Sequence, residues 1–222
     1  MISNYLKKSN LTSVLDNLNL NEILSKDPYG NDWSISEYKN IHEPLILDNY
    51  FSEVELDNII LYANKIKRTE GKISNNNEVF DYRKSELSWI AANDATRWLY
   101  EKMTRLICKV NEDQYKFDLD SLQTLQFTRY TAETSGKYDK HLDVGLRTAN
   151  NDRKLSMVLQ LSDPEDYSGG DLILHTNRTP NIIEKRKGRI IFFPSYILHE
   201  VTPVTSGTRM SLVCWITGPN IK

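Results

Sequence analysis

Thr124-Leu-Gln-Phe-Thr-Arg-Tyr130 is where the texture of this sequence changes. Upstream of it, apolar residues recur at helical spacing; from it onward they fall in short runs rich in Leu, Ile, Val, Phe, Thr and Tyr, which suit a pleated, half-buried surface. Residues 154–162, 171–176, 189–193 and 208–217 continue the pattern. Turn clusters separate the runs, at Ser135-Gly136, Ser168-Gly-Gly170, Lys187-Gly188, Phe193-Pro-Ser195 and Ser206-Gly207. Working back toward the start, Pro44-Leu-Ile-Leu-Asp48 reads as a short strand. Ser52, with Glu55 three residues on, is a capping box that opens a helix over 54–67, striped by Ile59, Ile60, Tyr62 and Ile66. Residues 71–77 read as a polar loop, and a longer helix is predicted over 89–111, carrying Trp98, Leu99, Met103, Leu106 and Ile107 on one face. Helices first and short strands afterwards define an α+β chain, with helices packed on one face of a β-sandwich or barrel.

The chain has 222 residues, a length that suits one domain with an elaborated N-terminal portion. Residues 1–43 are expected to form a partly helical extension, with a short helix at 19–24 and a turn at 27–31. Residues 44–222 are expected to form the domain proper, with helical support over 44–120 and a strand core over 121–218. Lys and Arg number 28 against 30 Asp and Glu, a net charge of −2, which argues against a broad phosphate-binding surface and so against nucleic acid as a partner. No apolar run is long enough to cross a bilayer, and the first residues lack the apolar core of a signal peptide, so the expected location is the cytoplasm. Cys108 and Cys214 stand far apart, which indicates neither a thiolate metal site nor a disulfide framework.

There are four histidines: His42, His141, His175 and His199. His141-Leu-Asp143 is an H-x-D step at a strand end, and residues two apart on a strand share a face, so imidazole and carboxylate can converge. With His199 beyond the Phe193-Pro-Ser195 turn, two His and one Asp match the facial set of a non-haem Fe(II) site, which keeps coordination positions open. On those three residues alone the metal reading competes with chance, since H-x-D arises easily in a chain rich in aspartate. Arg209-Met-Ser211 adds a guanidinium and a hydroxyl on one strand face, able to bind one carboxylate together. An arginine facing inward on a strand needs an anion, and a local Asp or Glu is the ordinary alternative. His175 and His42 read as a strand-end and a surface histidine.

Four blocks now stand in order: Arg129-Tyr130; Gly136-Lys-Tyr138-Asp-Lys-His141-Leu-Asp143; Leu161-Ser-Asp-Pro-Glu-Asp-Tyr-Ser-Gly-Gly170-Asp-Leu172; and Phe193 through Arg209. From about Leu125 to Trp215 the chain resembles the Fe(II)/2-oxoglutarate dioxygenases, in particular the prolyl-4-hydroxylase-like branch with the small bacterial and phage PKHD-type hydroxylases. The resemblance implies a double-stranded β-helix (jelly-roll) core. It implies His141, Asp143 and His199 as Fe(II) ligands, Arg209 with Ser211 for the distal carboxylate of 2-oxoglutarate, and Tyr130 lining that pocket. Gln160 falls where relatives often carry a carboxylate-binding tyrosine, Trp215 and Val201 would wall the pocket, and Gly169-Gly170 would make a tight turn before a strand. O2 is the implied co-reactant, with ascorbate as an optional reductant. The implied reaction is hydroxylation of an unactivated C–H with release of succinate and CO2, acting on proline in a peptide or protein.

Two features depart from the pattern: a long 130–136 loop, and Arg189 where relatives often have an acid. A nucleic-acid-demethylating relative would carry a second Arg six residues after the first, where this chain has Trp215. A cupin-like module that binds without turnover has no need of the Arg209-Met-Ser211 pair. The polar segments 131–135 and 144–154 flank the H-x-D step and are expected to act as lids, with Arg147 contacting the peptide. Oligomeric state has no signature in the sequence.

Overall fold

The structure, a computed structural model, describes residues 41–71, 73–75, 78–80, 82–144 and 153–219. The expected helix at 19–24, the turn at 27–31 and Arg147 lie outside them. In chain order the elements are β1 (Leu45–Leu47), α1 (Glu53–Lys65), β2 (Thr69–Glu70), β3 (Ile73–Asn75), β4 (Glu78–Phe80), β5 (Arg83–Lys84), β6 (Glu86–Ile90) and α2 (Arg97–Val110). There follow β7 (Ser121–Leu122), β8 (Leu125–Thr131), β9 (Lys137–His141), β10 (Arg153–Gln160), β11 (Tyr167–Gly169), β12 (Leu172–Leu174), β13 (Asn181–Ile182), β14 (Ile190–Pro194), β15 (His199–Val201) and β16 (Val204–Thr217).

Strands β1, β14, β10, β16, β8, β6 and β2 pair in that order in a major sheet, with β7 and β11 added along β16. Strands β13, β12, β15, β9 and β5 form a minor sheet, and β3 with β4 a separate hairpin. The neighbours are antiparallel, and the two sheets share an inner core of Tyr130, Val158, Leu172, Leu174, Ile191, Phe193 and Val201. This is the jelly-roll architecture, with two helices on the outer face of the major sheet. Alternation along the strands makes both layers. Leu155, Met157 and Leu159 of β10, and Leu212, Cys214 and Ile216 of β16, turn outward to meet Leu56, Ile59, Leu99 and Met103 of the helices. The intervening residues turn inward.

The capping box at Ser52 is present: its hydroxyl accepts from the Glu55 N–H at 3.3 Å, and Glu55 Oε2 accepts from the Ser52 N–H at 2.8 Å. The second helix differs from the sequence reading. Trp89 and Ile90 belong to β6, opposite Gln126 and Leu125, and the helix begins only at Arg97. The break is made by local hydrogen bonds: Asn93 Oδ1 accepts from the Ala95 N–H at 2.9 Å, and Thr96 Oγ1 donates to the Ala91 carbonyl at 2.7 Å. Strands ahead of residue 121 also join both sheets, so the expected division at 120/121 does not coincide with a division in the sheets. Residues 131–135, expected to form an open lid, are partly wound into a 3-10 turn over Ala132–Thr134 that ends at Ser135 with φ +49°. No helix among the described residues is long and apolar enough to cross a membrane.

Arg189 has a structural role that accounts for its presence. It is buried, its Nε and Nη2 donate to the two oxygens of Asp48 at 2.8 and 2.9 Å, and its Nη1 reaches Glu184 at 2.8 Å. The fork anchors the chain just after β1 to the start of β14. Hydrogen bonding from Arg189 holds the Asp48 carboxyl at about 2, below its ordinary 3.8. A depressed carboxylate stabilises the fold above its unfolded pKa and loses that contribution as pH falls toward the folded value. Asp48→Asn is therefore expected to cost about 2 kcal/mol at neutral pH. Urea denaturation of both proteins at several pH values should show the gap narrowing between pH 4 and 2; a gap independent of pH would contradict the ion pair.

Candidate active site

His141 ends β9, His199 opens β15, and the two are paired directly across the strands with ring centroids 4.1 Å apart. Asp143 lies beyond the end of β9, so the expected continuous strand through the H-x-D step is absent. The chain instead turns after His141, held by the Asp143 N–H donating to the Ser195 carbonyl at 3.0 Å, and this turn brings the carboxylate back to the imidazoles. His141 Nε2 stands 3.7 Å from Asp143 Oδ1, and His199 Nε2 stands 3.5 Å from Oδ2. Ligand atoms of all three lie within 4.8 Å of one another, the one such group of His, Cys, Asp or Glu among the described residues.

The surroundings prepare each ligand. His141 Nδ1 faces the Asp139 carbonyl at 2.8 Å and His199 Nδ1 faces the Ile197 carbonyl at 2.9 Å. A carbonyl only accepts, so both Nδ1 atoms carry a proton, and each Nε2 is turned toward Asp143. Ser156 donates to Asp143 Oδ2 at 2.7 Å and is itself bridged to the Ser195 hydroxyl at 2.9 Å. Burial alone would raise the Asp143 carboxyl, but His199, His141 and Ser156 outweigh it and hold the group below the usual range. Burial, with His199 alongside, pushes the His141 imidazole down to about 4. Neutral imidazole and ionised carboxylate are the states a metal needs. Three ligands, two nitrogen and one oxygen, without thiolate, suit Fe(II) better than closed structural zinc.

The pocket beside this group is lined by the inward residues of the major sheet. On β16 these are Arg209, Ser211, Val213 and Trp215; on β8, Gln126 and Tyr130; on β10, Val158; Val201 of β15, Leu172 of β12, Tyr138 of β9 and Arg83 of β5 complete the walls. Arg209 is 3% exposed, and its one hydrogen bond of normal geometry among the described residues joins Nη1 to Ser211 Oγ at 3.2 Å. No Asp or Glu among the described residues pairs with it. Tyr130 sits under the guanidinium, 5.5 Å from ring centroid to Cζ. The Trp215 indole N–H helps to hold the Asp143 carboxyl down, yet makes no hydrogen bond of normal geometry and is a buried donor without a partner. A buried cation and an unpartnered donor facing one pocket fit an anionic ligand with two ends.

Gln160 is the expected site residue that the structure turns elsewhere. It stands opposite Ser211, on the inward face, but its Oε1 accepts from the Arg186 N–H at 2.9 Å and its Nε2 donates to the Glu184 carbonyl at 3.3 Å. The side chain secures the loop before β14 and does not line the pocket. His175 pairs with Glu200 at 2.9 Å and His42 with Tyr196 at 3.0 Å, both away from the triad. Gly169 and Gly170 have φ of +67° and +64°, as the turn requires. Missing from the sequence reading are Ser156 and Ser195 behind Asp143, Gln126 in the wall, and Arg83. The Tyr138 ring stacks on His141 at 3.5 Å between centroids, with the Arg83 guanidinium 4.6 Å from it. Tyr138 precedes His141 by three residues and was readable as a motif position, but nothing local signals the two serines.

Residues 125–217 match the model of the 2OG-Fe(II) oxygenase superfamily. Curated relatives are PKHD-type hydroxylases: one from Stutzerimonas stutzeri is 35% identical over 95 residues, covering 40% of this chain and 41% of that protein. Another from Prochlorococcus marinus is 45% identical over 80 residues, covering 36% and 35%. The matched region thus spans about two fifths of the length of these relatives. Among solved structures, a Pseudomonas putida prolyl-4-hydroxylase superposes with a TM-score of 0.63 at 20% identity, over 81% of this chain and 94% of that one. A Trichoplax adhaerens prolyl hydroxylase in complex with a peptide fragment superposes with a TM-score of 0.65 at 19% identity, over 96% and 94%. At such identities the structures speak to the fold.

Calorimetric titration of Fe(II) without oxygen checks the ligand set. His141→Ala, Asp143→Ala and His199→Ala should each abolish tight binding, and His175→Ala should leave it unchanged. Ser156→Ala removes the donor that fixes Asp143 and should weaken binding about 10- to 100-fold.

Proposed function

We propose that this chain is an Fe(II)- and 2-oxoglutarate-dependent dioxygenase that hydroxylates an unactivated C–H, with proline in a peptide or protein as the substrate. The observation that carries the reading is one pocket holding both an open three-ligand face and a buried guanidinium with no carboxylate partner among the described residues. Iron bound there, with 2-oxoglutarate and O2, supplies the oxidising power: one oxygen atom enters the substrate as hydroxyl, the other ends in succinate, and CO2 leaves.

The protein contributes geometry. Arg209 and Ser211 orient the diacid by its distal carboxylate, so that its keto acid end faces the ligand triad. Val158, Val201, Val213 and Tyr130 keep the intervening space apolar and exclude water. Asp143, held by Ser156, fills a coordination position that a halogenating relative leaves to halide, which favours hydroxylation. Tyr138, stacked on His141 and covered by the Arg83 guanidinium, holds the metal-side wall of the pocket rigid beside the reacting centre. The prolyl hydroxylase names of the Pseudomonas and Trichoplax neighbours, and the peptide fragment in the Trichoplax complex, support a peptide substrate by analogy.

Two measurements test this. With Fe(II) saturating, Arg209→Ala should raise the 2-oxoglutarate KM by about 100-fold, and Arg209→Lys by less, since an ammonium keeps charge but loses the fork. Mass spectrometry should find a one-oxygen gain on Pro-containing peptides that vanishes when the Pro is replaced. Succinate release with no oxygen transfer to any peptide would keep the dioxygenase and remove the prolyl substrate.

A further inference from the structure

The inward face of β16 runs through Gly207, Arg209 and Ser211 at the two-residue period of a strand. Strand β11 pairs with it antiparallel, placing Tyr167 directly opposite Gly207. Tyr167 therefore shares the face that carries Arg209, as its diagonal neighbour. Gly170 shows how close the two are: a Cβ there would lie 3.1 Å from Arg209 Cδ and 3.4 Å from Tyr167 Cε2. The arginine stem and the tyrosine ring edge border one narrow space that a glycine keeps clear.

Tyr167 is 5% exposed, and its side chain shares a hydrogen bond with Arg209. Burial raises this phenol while Arg209 draws it back down, as expected of an oxygen beside the guanidinium. A second cation lies over the ring: Lys185 Nζ is 4.5 Å from the centroid, held there by the Gly169 carbonyl at 2.6 Å and by Asp171 at 3.2 Å. Across β16, the position from which β10 could serve the same carboxylate is occupied by Gln160, opposite Ser211. Its amide is committed to Arg186 and Glu184 on the neighbouring loop. One flank of the arginine thus lacks a free polar group, and the other holds the buried Tyr167 hydroxyl.

We propose that Tyr167 is a positioning residue for the diacid: its hydroxyl accepts from Arg209, sets the plane of the guanidinium fork, and takes the place on that flank that Gln160 leaves. The proposal rests on the 2-oxoglutarate reading above. It distinguishes this chain from relatives that carry a tyrosine at the position of Gln160, because the orienting hydroxyl comes from β11. The sandwich of Tyr167 between Lys185 and Arg209 makes the distal end of the pocket selective for a carboxylate over an uncharged end.

The test compares two ligands on the full chain loaded with Mn(II) and kept free of oxygen. Titration calorimetry measures affinity for 2-oxoglutarate and for 2-oxopentanoate, which has the same length and no distal carboxylate. Tyr167→Phe retains the ring beneath Lys185 and removes only the hydroxyl. The expected result is a loss of about tenfold in 2-oxoglutarate affinity, with 2-oxopentanoate and Mn(II) affinities unchanged, so that discrimination between the acids falls by the same factor. Wild-type discrimination in Tyr167→Phe overturns the proposal and leaves the 2-oxoglutarate reading standing. An equal loss for both acids also overturns it, because that marks a role in the fold. A wild-type protein that does not prefer the diacid removes the 2-oxoglutarate reading and the proposal with it.

Discussion

Strands β8, β10 and β16 are obliged to present successive side chains to opposite faces, and in this molecule the two faces meet different surroundings. The outward residues are apolar and bury the helices. The inward residues are Gln126, Thr128 and Tyr130 on β8, Ser156, Val158 and Gln160 on β10, and Arg209, Ser211, Val213 and Trp215 on β16. A polar inner face is costly unless each group finds a partner. Thr128 accepts from Gln126 at 2.9 Å, Ser156 is consumed by Asp143, and Gln160 by a loop. Arg209 and Trp215 keep donors to spare. The chemistry of the pocket is what remains after the sheet has satisfied itself.

The ligand triad depends on the same arrangement from the opposite side. His141 and His199 come from the minor sheet. The major sheet supplies the connection: Ser156 on β10 and Ser195 after β14 hold Asp143, which stands between the imidazoles. The distance between the two sheets therefore sets the shape of the metal site. A change in the inner core, at Phe193 for example, whose ring lies edge to face with that of His199 at 4.8 Å, would be felt directly at the ligands.

Much of this was legible in the sequence because it is periodic or is carried by short motifs. The alternating runs located β8, β10, β14 and β16, the capping box located α1, and H-x-D with a distal His named the triad. Trp89 reads as helical because its spacing to later apolar residues fits 3.6 as well as 2, and only the pairing with Gln126 decides between them. Strands β5, β9 and β15 are too short to show a period. Gln160 illustrates a deeper limit: alternation puts it on the correct face, while the direction of its amide is decided by a loop 24 residues on. The support given to Asp143 by Ser156 and Ser195 is likewise a matter of tertiary contact.

The pairing of β1 with β14 sets Leu45 against Phe192. In a chain made from its N-terminus, β1, α1 and α2 emerge long before the strands that cover their apolar faces. Ile59, Leu99 and Met103 have no sheet to rest on until β10, β14 and β16 have followed. Contacts so distant along the chain close slowly, because the entropy of the long intervening loop is lost before the contact is gained. Newly made molecules would pass through a stage with sticky helices and no core. A cell producing this protein would be served by holding chaperones, and a laboratory by slow expression at low temperature.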